Sequence, residues 1–438
     1  MKTAATAACI VCFAGVAIAQ SAAPRAIADA QPLHRWAQHN VQFHDNGTVT
    51  ANGQVWDSAD AYIASDYFQA NGLRCPVAFT EAELIEAEAF ALRGSTADCS
   101  SGSTSILPEY DPATGDVLRI PVVVHVIQNT GGTGFISESR VQSQIDILNE
   151  DFRALPGTNG APGADTGIEF FLATEDPGGN PTNGITYSTN NTWFNDGGSY
   201  WNSLAWDPNR YLNIYTNSAS GNLGYVPFLP QTNPGAIGSN SDRAVVLHSS
   251  FGRNAPIANY DLGRTATHEV GHYLGLFHTF QSGCGSASSC YTTGDRICDT
   301  NPENSPFFGC SAGRSTCGSS DPIDNYMDYS YDVCMNKFTP EQANRMRCTL
   351  FNYRSSLYVI DAVGPCSPAD VTTDATSNGE PDGAVTLSDF SFYLSLWSSG
   401  DAAADITTIS VCNPGAGGDG VDLSDFSCYL ATWSDGCP

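Results

Sequence analysis

The stretch His268-Glu-Val-Gly-His-Tyr-Leu-Gly-Leu-Phe-His278, in a chain of 438 residues, decides the fold and the chemistry. Residues four positions apart lie on one face of a helix, so His268 and His272 can present their imidazoles to a single metal ion. Gly275 lets the chain leave the helix where a side chain would hinder the turn, and His278 can then return as the third ligand. Three histidines with one open position are typical of catalytic rather than structural zinc.

Glu269 is offset by one position from the first histidine of this motif. It is too far round the helix to complete the metal cage, but it is placed to reach a metal-bound water. Zinc lowers the pKa of its water to roughly 7, and a neighbouring carboxylate can take the proton and pass it to the leaving amine. The motif therefore predicts peptide hydrolysis with Glu269 as general base.

Two other functions stay open at this point. A zinc hydrolase that acts on a non-peptide bond has the same motif. A non-catalytic, zinc-containing adhesion or binding protein is the main alternative, although such a protein has no need of Glu269 as a base.

Several shorter motifs accompany the zinc motif and give the chain a family resemblance. They are Tyr211-Leu-Asn-Ile-Tyr215, Gly224-Tyr225, Asp242-Arg-Ala-Val-Val246, His278-Thr-Phe280, Cys298-Asp-Thr300, Asn325-Tyr-Met-Asp-Tyr329 and Cys334-Met-Asn-Lys-Phe-Thr-Pro340. With these motifs, residues 115 to about 355 resemble the metzincin zinc endopeptidases, and more narrowly their pappalysin branch. The resemblance implies an α+β fold: a twisted mixed sheet with an active-site helix, followed by an irregular, disulfide-rich lower subdomain.

The resemblance also implies roles for three residues after the zinc motif. Met327 is the expected Met-turn residue beneath the metal, and Tyr329 is expected to stabilise the tetrahedral intermediate. Asp332 lies in the segment that forms the wall of the S1′ pocket in metzincins. In pappalysin-like enzymes that cut before basic residues, an aspartate at this place faces the pocket, which predicts a preference for Arg or Lys after the scissile bond. The alternatives for Asp332 are a solvated loop acid and a calcium ligand.

The N-terminal residues 1 to 19 are typical of a signal peptide, with Lys2 followed by a short apolar stretch and small residues before Gln20. The apolar stretch is too short to span a bilayer, and no later segment is long and apolar enough. We therefore expect a secreted protein without a transmembrane segment.

The charge balance limits the partners. The chain has 18 basic and 46 acidic residues, which gives a formal net charge of −28. A field of that sign repels nucleic acid and anionic lipid, so neither is an expected partner. Protein or peptide substrates are the partners that the zinc motif predicts.

The cysteines indicate an oxidising compartment. Of the 15 cysteines, 13 follow the predicted signal peptide, and eight of these lie between Cys284 and Cys366. In an exported protein such a cluster predicts disulfides. The resemblance favours Cys310 with Cys334 as one pair, and the sequence leaves the other pairs open.

Residues 20 to 105 form the predicted prosegment, ahead of a catalytic domain at residues 106 to 362. The prosegment contains a predicted helix, Thr80 to Arg93, and the motif Arg74-Cys75-Pro76. Several metzincin zymogens use a cysteine thiolate to occupy the fourth zinc position until the prosegment is cut away. Cys75 is therefore the predicted latency switch, and a disulfide between Cys75 and Cys99 is the alternative.

Residues 366 to 438 form a separate module that carries 11 acidic residues and no Lys or Arg. It contains a repeat of about 35 residues, in which Leu387-Ser-Asp-Phe-Ser391 returns as Leu423-Ser-Asp-Phe-Ser427. The stretch from Asp382 to Asp389 resembles a dockerin-type, EF-hand-like calcium loop, which implies a small helical module with a cell-surface or cohesin-like partner. An acidic, solvated repeat with an aromatic core is the alternative. The predicted Ca²⁺ ligands are Asp370, Asp382, Asp389, Asp405, Asp419 and Asp425.

Overall fold

The computed structural model describes most of the predicted catalytic domain and parts of the regions on either side. The described residues are 41–44, 46–71, 74–77, 99, 110–112, 116–360, 386–400, 404, 407–408, 411–412, 421, 425–427, 429–430 and 433. No described helix is long and apolar enough to cross a membrane. The sequence predictions that fall outside the described residues are the signal peptide, the helix Thr80 to Arg93, and the calcium ligands Asp370, Asp382, Asp405 and Asp419.

Short strands and a few longer helices make up the described regular structure. The strands are β1 (Gln42–Phe43), β2 (Val49–Ala51), β3 (Gln54–Trp56), β4 (Leu118–Gln128), β5 (Ile168–Leu172), β6 (Ile185–Thr189), β7 (Leu212–Asn217), β8 (Gly224–Tyr225), β9 (Ala244–Leu247), β10 (Val359–Ile360), β11 (Thr407–Thr408) and β12 (Val411–Cys412). The α-helices are α1 (Ala59–Ile63), α2 (Asp66–Ala70), α3 (Glu138–Phe152), α4 (Asn191–Phe194), α5 (Trp201–Leu204), α6 (Arg264–Tyr273), α7 (Pro340–Tyr353) and α8 (Leu387–Ser399).

A seven-stranded mixed sheet around β4 forms the core of the catalytic domain. β4 pairs in parallel with β5, β6 and β7, and antiparallel with β10. The sheet continues through β9 to the antiparallel strand β8. The run of buried valines and isoleucines in β4 suits a strand that is covered on both faces. The predicted α+β class and mixed sheet are confirmed.

Helix α3 packs on this sheet through one apolar face. Ser137 caps its first turn by accepting a hydrogen bond from the backbone N–H of Arg140, at 3.3 Å. The side chains that pack into the core share the helical spacing of three and four residues. They are Val141, Ile145, Leu148 and Phe152.

The described part of the predicted prosegment packs on the predicted catalytic domain. Strands β1 to β3 form an antiparallel sheet, and its apolar side chains join a cluster with residues of the catalytic domain such as Leu223 and Tyr260. Tyr62 donates a hydrogen bond to the carbonyl of Gly221 at 2.9 Å, and Asp60 accepts one from the N–H of Ala258 at 2.8 Å. This N-terminal segment therefore contacts the rest of the protein through a hydrophobic interface as well as through single hydrogen bonds.

The stretch from residue 279 to 339, between α6 and α7, contains no strand or α-helix. Disulfides order it in place of a large core, as the sequence predicts. The pairs within this stretch are Cys284–Cys317, Cys290–Cys298 and Cys310–Cys334. The predicted pair Cys310–Cys334 is confirmed.

A fourth disulfide joins Cys99 to Cys348 in helix α7, across 249 residues of sequence. The alternative pairing of Cys75 with Cys99 is therefore wrong. Cys75 is a free, buried cysteine. The Cys75 sulfur lies beside the three histidines. Cys99 lies against α7, so the two sulfur atoms are in different parts of the molecule.

The C-terminal repeats share an aromatic core. The rings of Tyr393 and Tyr429, which hold equivalent places in the two copies, stack with centroids 3.8 Å apart. Asp389 is buried and accepts a hydrogen bond from the N–H of Thr386 at 2.9 Å, which caps helix α8. Asp425 is buried as well. The calcium-loop reading of this module stays a prediction, because four of its six proposed ligands lie outside the described residues.

A buried ion pair ties the end of α7 to the segment just before β9, and its arginine also stacks on the end of α6. Arg354 donates to both carboxylate oxygens of Asp242, at 2.5 and 2.9 Å, and its guanidinium stacks over the ring of Tyr273 at 3.6 Å. Both partners of the pair are about 1% exposed, so loss of one partner leaves an uncompensated buried charge.

We predict that Arg354→Ala lowers the free energy of unfolding by about 3–5 kcal/mol, because Asp242 then keeps a buried charge without its partner. Denaturant unfolding of purified protein measures the change. Arg153→Ala is the matched control, since Arg153 pairs with the half-exposed Asp165 and such pairs contribute about 0–1 kcal/mol. Equal losses in the two variants would contradict the prediction.

Candidate metal centre

A single buried carboxylate positions the helix that carries the zinc motif. Asp151, near the end of α3, accepts hydrogen bonds from Arg264 at 3.1 Å, from Thr267 at 2.7 Å and from the hydroxyl of Tyr326 at 2.8 Å. Burial raises the pKa of Asp151 to about 6, while these donors and the charge of Arg264 oppose the shift. The same side chain thus links α3, α6 and the segment around residue 326.

The three histidines converge on one point. The Nε2 atoms of His268 and His272 lie 3.1 Å apart, those of His272 and His278 lie 3.0 Å apart, and those of His268 and His278 lie 3.2 Å apart. The Nδ1 atoms of His268 and His272 contact the carbonyls of Tyr326 and Leu276, at 2.7 and 2.8 Å. A carbonyl is only an acceptor, so Nδ1 carries the proton and Nε2 presents its lone pair to the centre.

Gly275 makes the return of His278 possible, as predicted. The helix ends at Tyr273, and Gly275 has a φ of +94°, a conformation that side-chain-bearing residues rarely adopt. A Cβ at this position would also lie 2.4 Å from Nε2 of Gln231. Only glycine therefore fits the turn that brings the third histidine back.

The donor set suits a zinc ion. Burial lowers the pKa of all three histidines, that of His272 to about 4, so the imidazoles are neutral. Three neutral imidazoles whose lone pairs face one another repel unless a cation lies between them. The fourth potential ligand is the sulfur of Cys75, and all four donor atoms lie within 4.8 Å of one another. Three nitrogens and one sulfur are a donor set that zinc takes in tetrahedral sites.

Cys75 and Glu269 contact each other beside the histidines. The Cys75 sulfur lies 3.4 Å from Oε2 of Glu269, and Oε1 of Glu269 has no hydrogen-bond partner among the described residues. Burial, followed by the charge of Glu269, raises the pKa of the Cys75 thiol. A metal dication favours the thiolate instead, because a coordinating thiol loses its proton. A bound cation would therefore change the surroundings of both Oε1 of Glu269 and the Cys75 thiol.

Met327 lies directly beneath helix α6. A Cβ at Gly271 would come within 2.6 Å of the Met327 sulfur, so the absence of a side chain there lets the methionine pack between the two helical ligands. The preceding Asn325 fixes this turn, since its side chain accepts from the N–H of Met327 at 2.9 Å and exchanges hydrogen bonds with Gln342.

Tyr329 contacts both the predicted prosegment and the histidine cluster. Its ring lies 4.9 Å from that of His278, and its hydroxyl donates a hydrogen bond to the carbonyl of Cys75. The structure therefore brings a peptide carbonyl, the Tyr329 hydroxyl and Glu269 to the same side of the histidine cluster. The predicted site residues Met327, Tyr329 and Cys75 all lie around this one centre.

Asp332 is fully buried, within the electrostatic influence of Arg74 from the predicted prosegment. Its Oδ2 accepts from the N–H groups of Leu262 and Arg264, at 3.0 and 3.2 Å, and its Oδ1 has no hydrogen-bond partner among the described residues. Burial raises the pKa of Asp332, and the positive charge of Arg74 is the largest influence that lowers it. A solvated loop acid is therefore excluded for Asp332 in this form of the protein.

Two residues that contact Arg74, Thr265 and Tyr260, were not predicted from the sequence as part of the site. The Arg74 guanidinium donates to the hydroxyl of Thr265 at 2.8 Å and lies over the ring of Tyr260 at 5.0 Å. A single threonine or tyrosine carries no motif, so spacing alone does not identify them. The one available signal is the helical register, which places Thr265 three residues before His268.

Comparison with known proteins gives consistent matches. Residues 199–351 match the peptidase family described as pregnancy-associated plasma protein-A. Extracellular metalloprotease 1 of Coccidioides posadasii is 37% identical over 54% of this chain and 79% of its own length. An extracellular metalloprotease of Podospora anserina is 32% identical over 68% of this chain and 97% of its own.

One solved structure also matches the fold of this chain. A mutant promirolysin of Tannerella forsythia superimposes with a TM-score of 0.51 and 30% sequence identity. The match covers 65% of this chain and 96% of the promirolysin chain.

Proposed function

Because this chain belongs to the pappalysin family of metallopeptidases, we propose that it is a secreted zinc endopeptidase with Glu269 as general base. The observation that carries the proposal is the convergence of three histidine Nε2 atoms, 3.0 to 3.2 Å apart, beside the buried carboxylate of Glu269. The extracellular relatives and the predicted signal peptide both support export.

The chemistry divides between the metal and the side chains around it. Zinc, when held by the three histidines, acidifies a water and polarises the scissile carbonyl. Glu269 takes the proton from that water and delivers it to the leaving amine. The hydroxyl of Tyr329, which in this structure donates to the Cys75 carbonyl, donates to the substrate carbonyl oxygen as negative charge develops there.

The non-catalytic adhesion protein explains fewer of these contacts. Such a protein has no need of a carboxylate beside the ligands, and none of a hydroxyl directed at a peptide carbonyl. Here Glu269, Tyr329 and the prosegment residue Cys75 meet at the same centre. In a hydrolase, contacts of this kind would block the active site until the protein is processed.

The Asp332 pocket favours a basic residue after the scissile bond. Arg74 acts as an internal model for such a side chain, since it reaches Thr265, the ring of Tyr260 and the field of Asp332 together. A partly desolvated, charge-assisted hydrogen bond contributes roughly 1.5–3 kcal/mol. That energy corresponds to about a ten- to hundredfold preference for Arg or Lys over an uncharged side chain.

Cys75 provides latency in this proposal. Its sulfur lies with the three histidine nitrogens, so it takes the coordination position that the catalytic water needs. Tyr329 is engaged by the Cys75 carbonyl at the same time, and Glu269 by the sulfur. One short segment thus occupies the metal site and both groups that act on the substrate.

The C-terminal module is proposed to attach or sort the protein rather than to take part in catalysis. Its 11 acidic residues, without Lys or Arg, suit Ca²⁺. The stacked tyrosines and the capped helix α8 support a folded module. We propose a cell-surface or cohesin-like partner for it.

We predict that Glu269→Ala abolishes peptide cleavage while the protein keeps about one zinc, because the three histidines remain. His272→Ala should lose both the metal and the activity. New termini in a proteome-derived peptide mixture report the cleavage, and elemental analysis reports the zinc. The conservative variant Glu269→Gln, which keeps the shape without the base, is the matched control and should be equally silent. Substantial turnover by either Glu269 variant would remove this residue from the mechanism.

We predict that the activated enzyme cleaves before Arg or Lys ten to a hundred times more efficiently than before an uncharged residue. A peptide series that varies only the residue after the scissile bond gives kcat/KM for each side chain. Asp332→Asn should remove most of this preference with little effect on an uncharged peptide. If the wild-type enzyme shows no preference, the pocket assignment is wrong; if the preference survives in Asp332→Asn, another acid carries it.

We predict that unprocessed Cys75→Ala protein hydrolyses a short peptide at least about tenfold faster than the unprocessed wild type, because water regains the fourth ligand position. Val77→Ala is the matched control, since Val77 is a buried prosegment residue without a ligand atom. A Cys75→Ala precursor as silent as the wild type would leave steric blocking as the cause of latency.

A further inference from the structure

The Cys99–Cys348 disulfide joins the predicted prosegment to the catalytic domain. It is buried, with both cysteines at most 5% exposed, and the side chains of Tyr110 and Phe351 pack around it. Asn352 contacts the Cys348 carbonyl at 2.9 Å and the hydroxyl of Tyr110 at 3.0 Å, which closes the cluster on one side. A disulfide without solvent access resists exchange with external thiols, and an oxidising compartment preserves it.

The inhibitory residues lie on the N-terminal side of this bond. Arg74 and Cys75 reach the S1′ pocket and the histidine cluster, and Cys99 follows Cys75 by 24 residues. A cut between Cys75 and Cys99 therefore separates the inhibitory segment from the disulfide. A cut after Cys99 does not, because the inhibitory segment and Cys99 remain on one piece that is bonded to Cys348.

We propose that Cys99 divides the prosegment into a releasable part and a part that stays in the mature enzyme, so that only a cut on the N-terminal side of Cys99 activates the protein. The proposal rests on the latency role of Cys75. It moves the functional boundary of the enzyme from the predicted residue 105 to a point before Cys99. A cut between Cys99 and Tyr110 gives a two-chain form that is still latent.

Effective concentration explains why the two cuts differ. A segment tethered by a short chain is held near its site at about millimolar effective concentration, whatever the total protein concentration. After a cut before Cys99, the segment is held only by its non-covalent interface, and dilution releases it. After a cut behind Cys99, dilution changes nothing, because rebinding is intramolecular.

The test uses two full-length proteins, each with a short recognition sequence for an unrelated, sequence-specific protease. One protein carries it between Val77 and Cys99, the other between Cys99 and Tyr110. After cutting, gel electrophoresis without reductant should resolve two chains for the early cut and one species for the late cut. Specific activity on a short peptide should rise at least about a hundredfold on dilution of the early-cut protein, and should stay at the precursor level at every dilution of the late-cut protein.

The double variant Cys99→Ser/Cys348→Ser is the matched control for the late cut. Without the disulfide, its late-cut form should gain activity on dilution as the early-cut protein does. If the double variant folds poorly, the two cuts can still be compared in protein that keeps all its cysteines. Activation of the late-cut protein with all its cysteines by dilution, or separation of its two chains without reductant, would overturn the proposal. An uncut precursor that is already active would instead overturn the latency role of Cys75, and the gels would still decide whether the tether exists.

Discussion

The fold depends on the need to bring three neutral imidazoles together inside the protein with their Nε2 lone pairs facing one point. Two of them hold the required tautomer because the carbonyls of Tyr326 and Leu276 accept from Nδ1. Those carbonyls are therefore as important to the site as the histidines. The Tyr326 carbonyl is fixed from both sides, by the hydroxyl of its own residue on Asp151 and by the turn that Asn325 holds. The Tyr326 carbonyl belongs to the irregular stretch from residue 279 to 339, which three disulfides order where no large core exists.

The spacing of local motifs predicted the centre because the geometry there is local. His268 and His272 are one helical turn apart, and the left-handed φ of Gly275 follows from a ligand that must return within a few residues. The mixed sheet was expected from the family resemblance and not from the spacing of single residues. Contacts between distant segments were not predictable. Nothing in the sequence places Tyr260 beside Arg74, or joins Cys99 to Cys348 across 249 residues, because such contacts depend on how whole elements pack.

In the proposed latent form, the N-terminal segment contacts the catalytic domain through an interface much larger than a single sulfur ligand. The strands β1 to β3 and the short helices after them bury aromatic side chains against the catalytic domain, and Tyr62 and Asp60 add polar contacts at its edge. Burial of each large apolar side chain contributes about 1.5–3 kcal/mol, so the segment remains bound after a single peptide bond is broken. Under the proposed latency, whether a cut activates the enzyme depends on tethering and dilution, and therefore on which side of Cys99 the cut falls.

In the proposed function, the pocket beside Asp332 holds Arg74 in the precursor and a substrate side chain in the active enzyme, and the contacts of Arg74 bear on how both can bind there. Its guanidinium donates to Thr265, while its Nε and Nη2 and the Oδ1 of Asp332 have no partner among the described residues. Each buried polar group without a partner costs about 1–3 kcal/mol. Arg74 is consequently an incomplete ligand for the pocket. Under the proposed specificity, a substrate side chain that hydrogen-bonds to both Thr265 and Asp332 would satisfy Oδ1 of Asp332 and so gain a hydrogen bond in the pocket that Arg74 does not make.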